Sequence, residues 1–251
     1  MTEHRSLTVL PVFNEVKHVH AVLDEVRLHS QEVLVVDDGS TDGTADELKR
    51  RSDIQVISHE GNQGYGAALR TAFQYAAREG YWAVVTVDCD GQHEPQRIPR
   101  FLAALQGADI VSGSRYLKQY QGDSEPPGQR RWVNQVVTAE LNELLGLSLT
   151  DAFCGFKAYR VDALRQLEIQ EPGYAMPLEL WVRAAFQHLE IIELPVPLIY
   201  LDEKRSFGGA LDDAMTRLDY YRSVICASYK QLCREGSVAP VADAAKHCVG
   251  Q

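Results

Sequence analysis

Short apolar runs alternate with longer stretches of helical periodicity from residue 6 to about residue 115. Such alternation is typical of βαβ units, which build a mostly parallel sheet with helices against its faces. The predicted strands are 7–13, 32–37, 54–58, 82–88 and 110–112, and the predicted helices are 15–29, 44–51, 66–78 and 96–105. We therefore expect an α/β fold, and in such sheets ligands bind beyond the carboxyl ends of the strands.

The alternation breaks after residue 115, which predicts a smaller part of mixed structure. Residues 117–132 are polar, include Pro126 and Pro127, and have the length of a loop that is kept for function. The elements predicted after this loop are a helix at 133–145, a strand at 152–159, a helix at 178–188, an edge strand at 191–201 and a helix at 211–232. We expect a single domain over residues 1–235 and a flexible tail over 236–251.

The charge and the hydropathy of the chain limit the classes of partner that it is expected to bind. The 251 residues carry 25 Lys and Arg against 35 Asp and Glu, and this net charge of -10 argues against nucleic-acid binding through overall charge. No apolar run approaches the roughly 20 residues that span a bilayer, and the first residues lack the apolar core of a signal peptide. We therefore expect a cytoplasmic protein without a transmembrane segment, whose five cysteines are reduced thiols.

Polar clusters follow the first two predicted strands. Residues 11–15 read Pro-Val-Phe-Asn-Glu, and residues 35–44 read Val-Val-Asp-Asp-Gly-Ser-Thr-Asp-Gly-Thr. Asp37 and Asp38 fall at the edge of the sheet, where they could hydrogen-bond a ribose or a base. The alternative is a capped turn with solvated acids, which explains the hydroxyl residues but not two adjacent aspartates. Thr44 also begins a predicted capping box for the next helix.

A run of small residues opens the third predicted helix, with Gly-Asn-Gln-Gly-Tyr-Gly-Ala-Ala at 61–68. Small residues at a helix start let a ligand approach the backbone, and the positive end of the helix dipole favours a negative group there. A plain loop before a helix is an equally good interpretation.

The predicted strand at 82–88 runs into Asp-Cys-Asp-Gly-Gln-His. If the chain stays extended, Asp88, Asp90 and Gln92 point to the same side, because side chains alternate with a period of two. Three oxygen donors suit Mg²⁺ or Mn²⁺, which prefer one or two carboxylates completed by phosphate oxygens and water. The stretch thus predicts a metal site that holds a diphosphate. A solvated acidic turn is the alternative, and His93 is interpreted as a surface or packing residue.

Together, the clusters at 35–44, 62–64 and 88–92 resemble the motifs of family-2 glycosyltransferases with the GT-A fold, a Rossmann-like single domain. Further stretches are similar to a narrower branch, the dolichyl-phosphate mannose synthases and polyprenyl-phosphate glucosyltransferases. These stretches are Ser-Gly-Ser-Arg-Tyr at 112–116, Arg130-Arg131, and Thr-Asp-Ala-Phe-Cys-Gly-Phe-Lys-Ala-Tyr-Arg at 150–160. The likeness covers residues 6 to about 210.

The resemblance implies a metal-dependent inverting transfer of a hexose from GDP-mannose or UDP-glucose to a polyprenyl or dolichyl phosphate at a membrane surface. It divides the domain into a nucleotide-sugar half, about 6–115, and an acceptor half, about 116–235. The residues that it places around the nucleotide sugar are Pro11, Phe13, Glu15, Asp37, Asp38, Asn62, Gly64, Asp88, Arg115 and Arg205. It implies Asp88, Asp90 and Gln92 as ligands of Mg²⁺ or Mn²⁺, and Arg131 and Asp151 as catalytic residues beside the phosphates.

The chain also departs from the relatives' pattern Arg-x-x-Gly-x-Ser-Lys, since residues 205–211 read Arg-Ser-Phe-Gly-Gly-Ala-Leu. Lys204 and Arg205 could substitute for the missing Ser-Lys in holding a phosphate. Two alternatives therefore stay open, a glycosyltransferase with a soluble acceptor and a nucleotide-sugar-binding regulatory protein without catalysis. The oligomeric state, a homodimer included, is open as well.

Some assignments stay open at the level of single residues. Asp151 could act as a base, orient the acceptor, or pair with Arg160 or Lys157 for structure. Glu179 could face the site or lie on a helix surface. The apolar residues from Trp132 into the following helix could place the protein peripherally on a membrane, although most of them suit the core better.

Overall fold

A seven-stranded sheet forms the centre of the protein. The computed structural model describes residues 4–201, 209–238, 240 and 241. The strands are β1 (Ser6–Val12), β2 (Val33–Asp37), β3 (Gln55–Ser58), β4 (Ala83–Thr86), β5 (Ile110–Ser114), β6 (Lys157–Arg160) and β7 (Ile191–Pro195). They lie in the order β3-β2-β1-β4-β6-β5-β7. The carboxyl ends of β1, β2 and β4 therefore meet at one edge of the sheet.

Strand β6 runs against both of its neighbours. It pairs antiparallel with β4, where Ala158 faces Val85, and antiparallel with β5, where Ala158 faces Val111. The other neighbouring strands of this sheet are parallel. The prediction of an α/β fold with a mostly parallel sheet and a mixed later part is confirmed.

The helices cover both faces of the sheet. They are α1 (Val19–His29), α2 (Thr44–Lys49), α3 (Tyr65–Arg78), α4 (Ile98–Ala104), α5 (Gly128–Leu145), α6 (Val161–Leu164), α7 (Met176–Phe186) and α8 (Ala214–Arg234). In β1, Leu7 and Val9 pack on the side of α3, α5, α7 and α8, whereas Leu10 and Val12 pack on the side of α1 and α4. The alternation of side chains along a buried strand thus separates two helical layers.

Several element boundaries differ from the prediction. Helix α1 begins at Val19 instead of residue 15, because Asn14 has a φ of 57° and the following residues form a turn. Helix α5 begins at Gly128, so Arg130 and Arg131 lie on its first turn rather than in or beside a loop. The strand predicted at 152–159 is confined to β6, and β7 ends at its proline instead of at residue 201.

The predicted capping box at Thr44 is wrong. Helix α2 does begin there, but its N-cap residue is Gly43 and no side chain caps the helix. The Thr44 hydroxyl donates to Asp42 and accepts the backbone N–H of Glu15 at 2.9 Å. Thr44 therefore joins α2 to the chain that leaves β1.

The cysteines and the helices bear on two further expectations. Cys89, Cys154 and Cys233 are free thiols. Cys226 is disulfide-bonded, so the expectation of a reduced thiol is wrong there, and Cys248 lies outside the described residues. Within the part of the chain that the structure describes, no helix combines the length and the apolar character needed to cross a bilayer.

Candidate active site

A cavity of about 460 Å³ opens at the carboxyl ends of β1, β2 and β4. Residues of α3, α5 and α8 and of the segment after β7 complete its wall. The predicted site residues that line it are Pro11, Phe13, Glu15, Asp38, Asn62, Gly64, Asp88, Asp90, Gln92 and Arg115. Asp37, Arg131 and Asp151 do not line it, and Arg205 lies outside the described residues. The fold thus gathers most of the predicted residues in one place.

The two adjacent aspartates after β2 hold the loops around them. Asp38 is 3% exposed and accepts the backbone N–H of Gln63 at 2.9 Å and that of Gly64 at 2.7 Å. Asp37 is also buried and accepts the N–H of Ser40 at 3.1 Å. The pair therefore ties the turn after β2 to the start of α3, and only Asp38 reaches the cavity wall.

The small residues at the start of α3 make room for the chain's own backbone. The N–H of Ala67 donates to the carbonyl of Pro172 at 3.0 Å. A Cβ on Gly64 would lie 2.4 Å from that oxygen, and a Cβ on Gly66 would lie 2.3 Å from the carbonyl oxygen of Glu171. Segment 171–173 therefore occupies the space expected for a ligand beside these glycines, although Gly64 still lines the cavity.

The acidic stretch after β4 turns instead of staying extended. Strand β4 ends at Thr86, and Gly91 has a φ of 73°. The N–H of Gln92 donates to Asp90 Oδ1 at 3.0 Å. Asp88, Asp90 and Gln92 nevertheless all line the cavity. A turn, and not the expected alternation of an extended chain, brings these oxygen donors together.

Asp88 is held from three directions. The Tyr65 hydroxyl donates to Asp88 Oδ1 at 3.1 Å, and the backbone N–H of Asp88 donates to His93 Nδ1 at 3.1 Å. Gly155 leaves space for the carboxylate, since a Cβ there would lie 2.1 Å from Asp88 Oδ2. His93 also stacks on Phe156, with 5.5 Å between ring centroids. Its Nε2 lies 3.8 Å from Asp88 Oδ2 and it lines the cavity, so His93 belongs to the site and is more than the surface or packing residue expected from the sequence.

The donor set of Asp88, Asp90 and Gln92 fits a hard divalent cation. Carboxylate and amide oxygens suit Mg²⁺ and Mn²⁺, and Mg²⁺ usually binds through one or two carboxylates while substrate phosphates and water complete its shell. Over residues 4–201, 209–238, 240 and 241, no three His, Cys, Asp or Glu side chains form a group that could hold a metal ion by themselves. A metal ion here would need further oxygen ligands from a bound substrate.

Arg115 lines the cavity in front of a buried carboxylate. Asp151 is 0% exposed and accepts from Arg115 Nε at 2.7 Å, from Arg115 Nη2 at 2.9 Å and from Asn134 Nδ2 at 2.8 Å. Burial alone would raise the pKa of Asp151, but the charge and the hydrogen bonds of Arg115 outweigh it and hold that pKa below its ordinary value. Arg160 and Lys157, the partners considered from the sequence, interact elsewhere.

A second acid, Glu193, fixes the backbone that carries Asp151. Glu193, on β7, accepts the backbone N–H of Thr150 at 2.8 Å and that of Asp151 at 3.1 Å. Burial raises the pKa of Glu193. On the other side, the Thr138 hydroxyl donates to Asn134 Oδ1 at 2.9 Å. The position of the Arg115 guanidinium thus depends on α5 and β7.

Glu179 takes neither of the two positions expected from the sequence. It is 3% exposed and does not line the cavity. Its carboxylate accepts the N–H groups of Gln170 at 2.9 Å and Glu171 at 2.6 Å, and Arg183 Nε donates to it at 2.7 Å. Glu179 therefore fixes the start of the segment that packs against α3.

Several residues of the cavity wall received no role from the sequence motifs. They are Tyr65, Tyr116, Asn134, Phe153, Tyr174, Tyr200, Arg217 and Tyr221. Arg217 and Tyr221 lie on α8, whose apolar stripe predicted only a helix that faces the core. The one signal in the sequence was a charged residue, Arg217, next to that stripe.

Comparisons with known proteins show the family of this chain. The family model described as Glycosyl transferase family 2 matches residues 8–168, more than half of the chain. An undecaprenyl-phosphate mannosyltransferase from Micrococcus luteus is 32% identical over 225 residues, which cover 85% of this chain and 92% of that protein. A polyprenol monophosphomannose synthase from Mycolicibacterium smegmatis is 32% identical over 234 residues, which cover 85% of either chain.

Among solved structures, glucosyl-3-phosphoglycerate synthase from Mycobacterium tuberculosis in complex with Mg²⁺ and uridine diphosphate is similar with a TM-score of 0.68 and 23% identity. The match covers 94% of this chain and 81% of that chain. A likeness at this level of identity shows the fold, which is the GT-A fold implied by the sequence motifs.

Proposed function

This chain belongs to glycosyltransferase family 2, and we propose that it transfers a hexose from GDP-mannose or UDP-glucose to a polyprenyl or dolichyl phosphate. The observation that carries this proposal is one cavity whose wall joins two carboxylates, Asp88 and Asp90, to the arginine Arg115. The names of the relatives from Micrococcus luteus and Mycolicibacterium smegmatis support a polyprenyl phosphate acceptor.

In this proposal, the nucleotide sugar lies at the carboxyl ends of β1 and β2. Pro11, Phe13 and Glu15 would contact the base and the ribose, and Asn62 lines the same cavity. Phe13 is 41% exposed, so its ring is available for stacking on a base. Asp38 would contribute through the loop that it fixes, and residues 6–115 would form the donor half of the domain.

Asp88, Asp90 and Gln92 would hold Mg²⁺ or Mn²⁺. Such an ion acts as a Lewis acid that neutralises charge on a departing diphosphate. The chain's own contribution is the fixed orientation of the Asp88 carboxylate, which the Tyr65 hydroxyl and Gly155 define. A carboxylate held in place before the substrate arrives needs no reorganisation during the reaction.

The transfer itself would be a substitution at the anomeric carbon. An oxygen of the acceptor phosphate attacks that carbon, the bond to the diphosphate oxygen breaks, and the nucleoside diphosphate leaves with the electron pair, so the anomeric centre is inverted. A phosphate monoester has a second pKa of about 6 and is largely dianionic at pH 7, so no strong general base is needed. Arg115 would stabilise the phosphates, and Asp151 would act as its positioning residue, since it is buried behind the guanidinium.

Contact with a membrane would come from the rim of the acceptor half, residues 116–235. Leu117 is 45% exposed and Trp132 is 43% exposed, whereas Val133, Val137 and Leu141 of α5 are buried in the core. Exposed leucine and tryptophan side chains suit the interface between headgroups and acyl chains. Arg131 is exposed next to Trp132 in the sequence, and it would interact with anionic lipid headgroups if this rim met a membrane.

The test is calorimetric binding of UDP, GDP, UDP-glucose and GDP-mannose, each with manganese and with chelator, to the wild type and to Asp90→Asn. We expect one nucleotide to bind only with manganese and only when Asp90 is present. The preferred donor is then incubated with polyprenyl phosphate and with sugar or glycerol phosphate acceptors. Transfer to soluble acceptors alone would contradict the lipid assignment, and no binding of any nucleotide would contradict the proposed function.

A further inference from the structure

A lysine is buried inside the sheet, behind the cavity. Lys157 lies on β6, between β4 and β5, and is 2% exposed. Lysine is almost never buried to this degree unless its charge is paired. Its ammonium group donates to the backbone carbonyl of Cys154 and lies 5.4 Å from the centre of the Trp181 ring. Within the described residues, the direct partners of this charge are thus a backbone carbonyl and an aromatic face.

The position of Lys157 is costly for a charged group. Burial lowers its pKa below the ordinary value, because the charged form loses its hydration. Methionine, an apolar side chain of similar length, would avoid this cost. Methionine could not donate a hydrogen bond to segment 152–155, the stretch of backbone between Asp151 and β6. The lysine therefore differs from an apolar residue in what it does to this segment.

Buried side chains from three elements hold the carbonyl groups of segment 152–155. Trp181 Nε1, on α7, donates to the carbonyl of its first residue at 2.9 Å. The Thr86 hydroxyl, on β4, donates to the carbonyl of its last residue at 2.7 Å. Lys157, on β6, donates to the carbonyl of the residue before the last. These bonds fix the segment relative to both the sheet and α7.

Segment 152–155 contacts two charged parts of the site. The N–H of Phe153 donates at 3.2 Å to Oδ1 of Asp151, the carboxylate that pairs with Arg115. Gly155 packs against the carboxylate of Asp88, since a Cβ on this glycine would lie 2.1 Å from Oδ2. A shift of the segment would therefore move the buried partner of the arginine and the residue packed against the Asp88 carboxylate together.

We propose that Lys157 is a positioning residue for the transfer. Through segment 152–155 it holds the Asp88 carboxylate and the Arg115 guanidinium at a fixed separation, so that a metal ion and the phosphates bound to it meet the arginine in one arrangement. Groups that orient a metal ligand from behind affect metal affinity and rate without touching the substrate. The inference rests on the proposed glycosyl transfer and adds a residue of the interior that does not line the cavity.

The experiment measures metal binding and catalysis separately in Lys157→Met, which removes the ammonium group and keeps a chain of similar length. Manganese is titrated by calorimetry in the presence of excess UDP, or of GDP if the wild type binds that nucleotide, and kcat is measured at saturating manganese. Arg183→Met is the matched control. It also removes a buried cation, but one whose Nε pairs with Glu179 and which does not line the cavity. Lys157→Arg keeps both the charge and hydrogen-bond donors.

We expect Lys157→Met to weaken manganese binding by about tenfold to 100-fold, the range for loss of a group that orients a metal ligand. At saturating manganese, kcat should still be lower by about tenfold, because the Arg115 side of the site is displaced as well. Arg183→Met should lose stability but keep the manganese affinity and kcat of the wild type. Lys157→Arg should recover most of the manganese affinity.

An unchanged manganese affinity in folded Lys157→Met would overturn the proposal, and so would a folded Lys157→Arg that binds manganese no better than Lys157→Met. Full recovery of kcat at saturating manganese would overturn the coupling to Arg115.

If Lys157→Met fails to fold, Thr86→Val decides the question, because it frees the carbonyl of Gly155 in the same segment. We expect manganese affinity to fall by about threefold, the effect of one lost hydrogen bond, and an unchanged affinity would overturn the proposal. Failure of the proposed function looks different, since the wild type itself would then bind no nucleotide with or without manganese, and the inference would fall with it.

Discussion

The two ends of the cavity are built in different ways. At the proposed donor end, Asp38 and Asp90 accept hydrogen bonds from backbone N–H groups, and they follow β2 and β4, the two strands that flank β1 in the sheet. At the acceptor end, side chains from α5, α8 and the segment after β7 meet across long stretches of sequence. The first region is fixed by hydrogen bonds to loop backbone, and the second by the packing of helices.

This difference predicts how each end responds to mutation. Asp90 is bonded within its own turn and can lose its charge while the fold around it survives, so its replacement should affect chemistry more than stability. In the Arg115–Asp151 pair the carboxylate is 0% exposed and the arginine side chain is 20% exposed at the cavity wall, so removing Asp151 leaves a charge that is only partly solvated and has lost its partner. Changes there should affect stability first.

The largest effect should come from Asp151→Ala. Because it leaves Arg115 without its buried partner, we expect the free energy of unfolding to fall by about 3–5 kcal/mol in urea denaturation at pH 7. Asp162→Ala, which breaks an exposed pair with Arg165, should cost less than about 1 kcal/mol. Similar losses in both variants would show that the Arg115–Asp151 pair contributes no more stability than an exposed pair.

The difference in unfolding free energy between the wild type and Asp151→Ala should depend on pH. The pKa of Asp151 is lower in the folded protein than its ordinary value of about 4, so the carboxylate contributes stability above that pH. This contribution is lost as the pH falls through the folded pKa. The difference in unfolding free energy between wild type and Asp151→Ala should therefore narrow below about pH 4, whereas a constant difference down to pH 2 would rule out this ionised pair.

Asp90→Asn tests the donor end, where we expect a loss of activity without a loss of stability. We expect kcat to fall by about 100-fold or more, roughly 2.7 kcal/mol of transition-state stabilisation, while the thermal midpoint stays close to that of the wild type. Initial-rate assays with added manganese provide the measurement, and Asp46→Asn on the exposed face of α2 is the matched control. Unchanged turnover that resists chelator would remove Asp90 from the metal site.

A smaller effect is expected from Tyr65→Phe, which removes the hydroxyl that donates to Asp88. The carboxylate keeps its place beside Gly155 but loses one orienting bond, so kcat/KM should fall by about tenfold, or roughly 1.4 kcal/mol. Tyr75→Phe, which loses a hydroxyl bonded to Gln55 away from the cavity, should leave kcat/KM unchanged. Equal kinetics in the two variants would show that Tyr65 does not orient the carboxylate.

The smallest effect concerns the rim of the acceptor end. The double change Leu117→Ser and Trp132→Ser should lower the rate on polyprenyl phosphate in vesicles by about fivefold, because less apolar surface enters the lipid interface. The rate on water-soluble citronellyl phosphate should not change. Leu28→Ser, at a site that is 73% exposed on α1, is the control. A loss of rate on both substrates would indicate damage to the site instead of lost membrane contact.

The difference between features set near strand ends and features set by contacts between distant elements explains what the sequence could predict. The α/β fold and the donor end followed from local patterns, because strands end in short runs where Asp38, Asp88 and Asp90 are only a few residues from an apolar core segment. The alternation of side chains failed at Gln92, because a glycine with positive φ turned the chain. The turn after β4 nevertheless brings Asp88, Asp90 and Gln92 into the wall of one cavity.

The remaining features depend on contacts between distant elements. In the sequence, Gly64 and Gly66 predicted space for a ligand at the start of α3. Residues more than 100 positions later in the chain fill that space. Glu179 looked like a surface or site residue, and only the packing of the 170–171 backbone against α7 shows its role. Arg217 stands beside an apolar stripe, and periodicity does not tell which neighbour a helix will meet.

The antiparallel strand β6 also has a consequence for how the chain reaches its fold. It lies between β4 and β5, so β5 has no hydrogen-bonded partner in the sheet until residues 157–160 have been synthesised. During translation, β1 to β4 could pair early, while β5 and everything after it would wait for a segment about 45 residues downstream of β5. Release of the nascent chain at residue 115 should therefore give a protease-sensitive fragment, although the proposed function puts the boundary between its donor and acceptor halves at that point. The two halves that the proposed function distinguishes would therefore depend on one folding event.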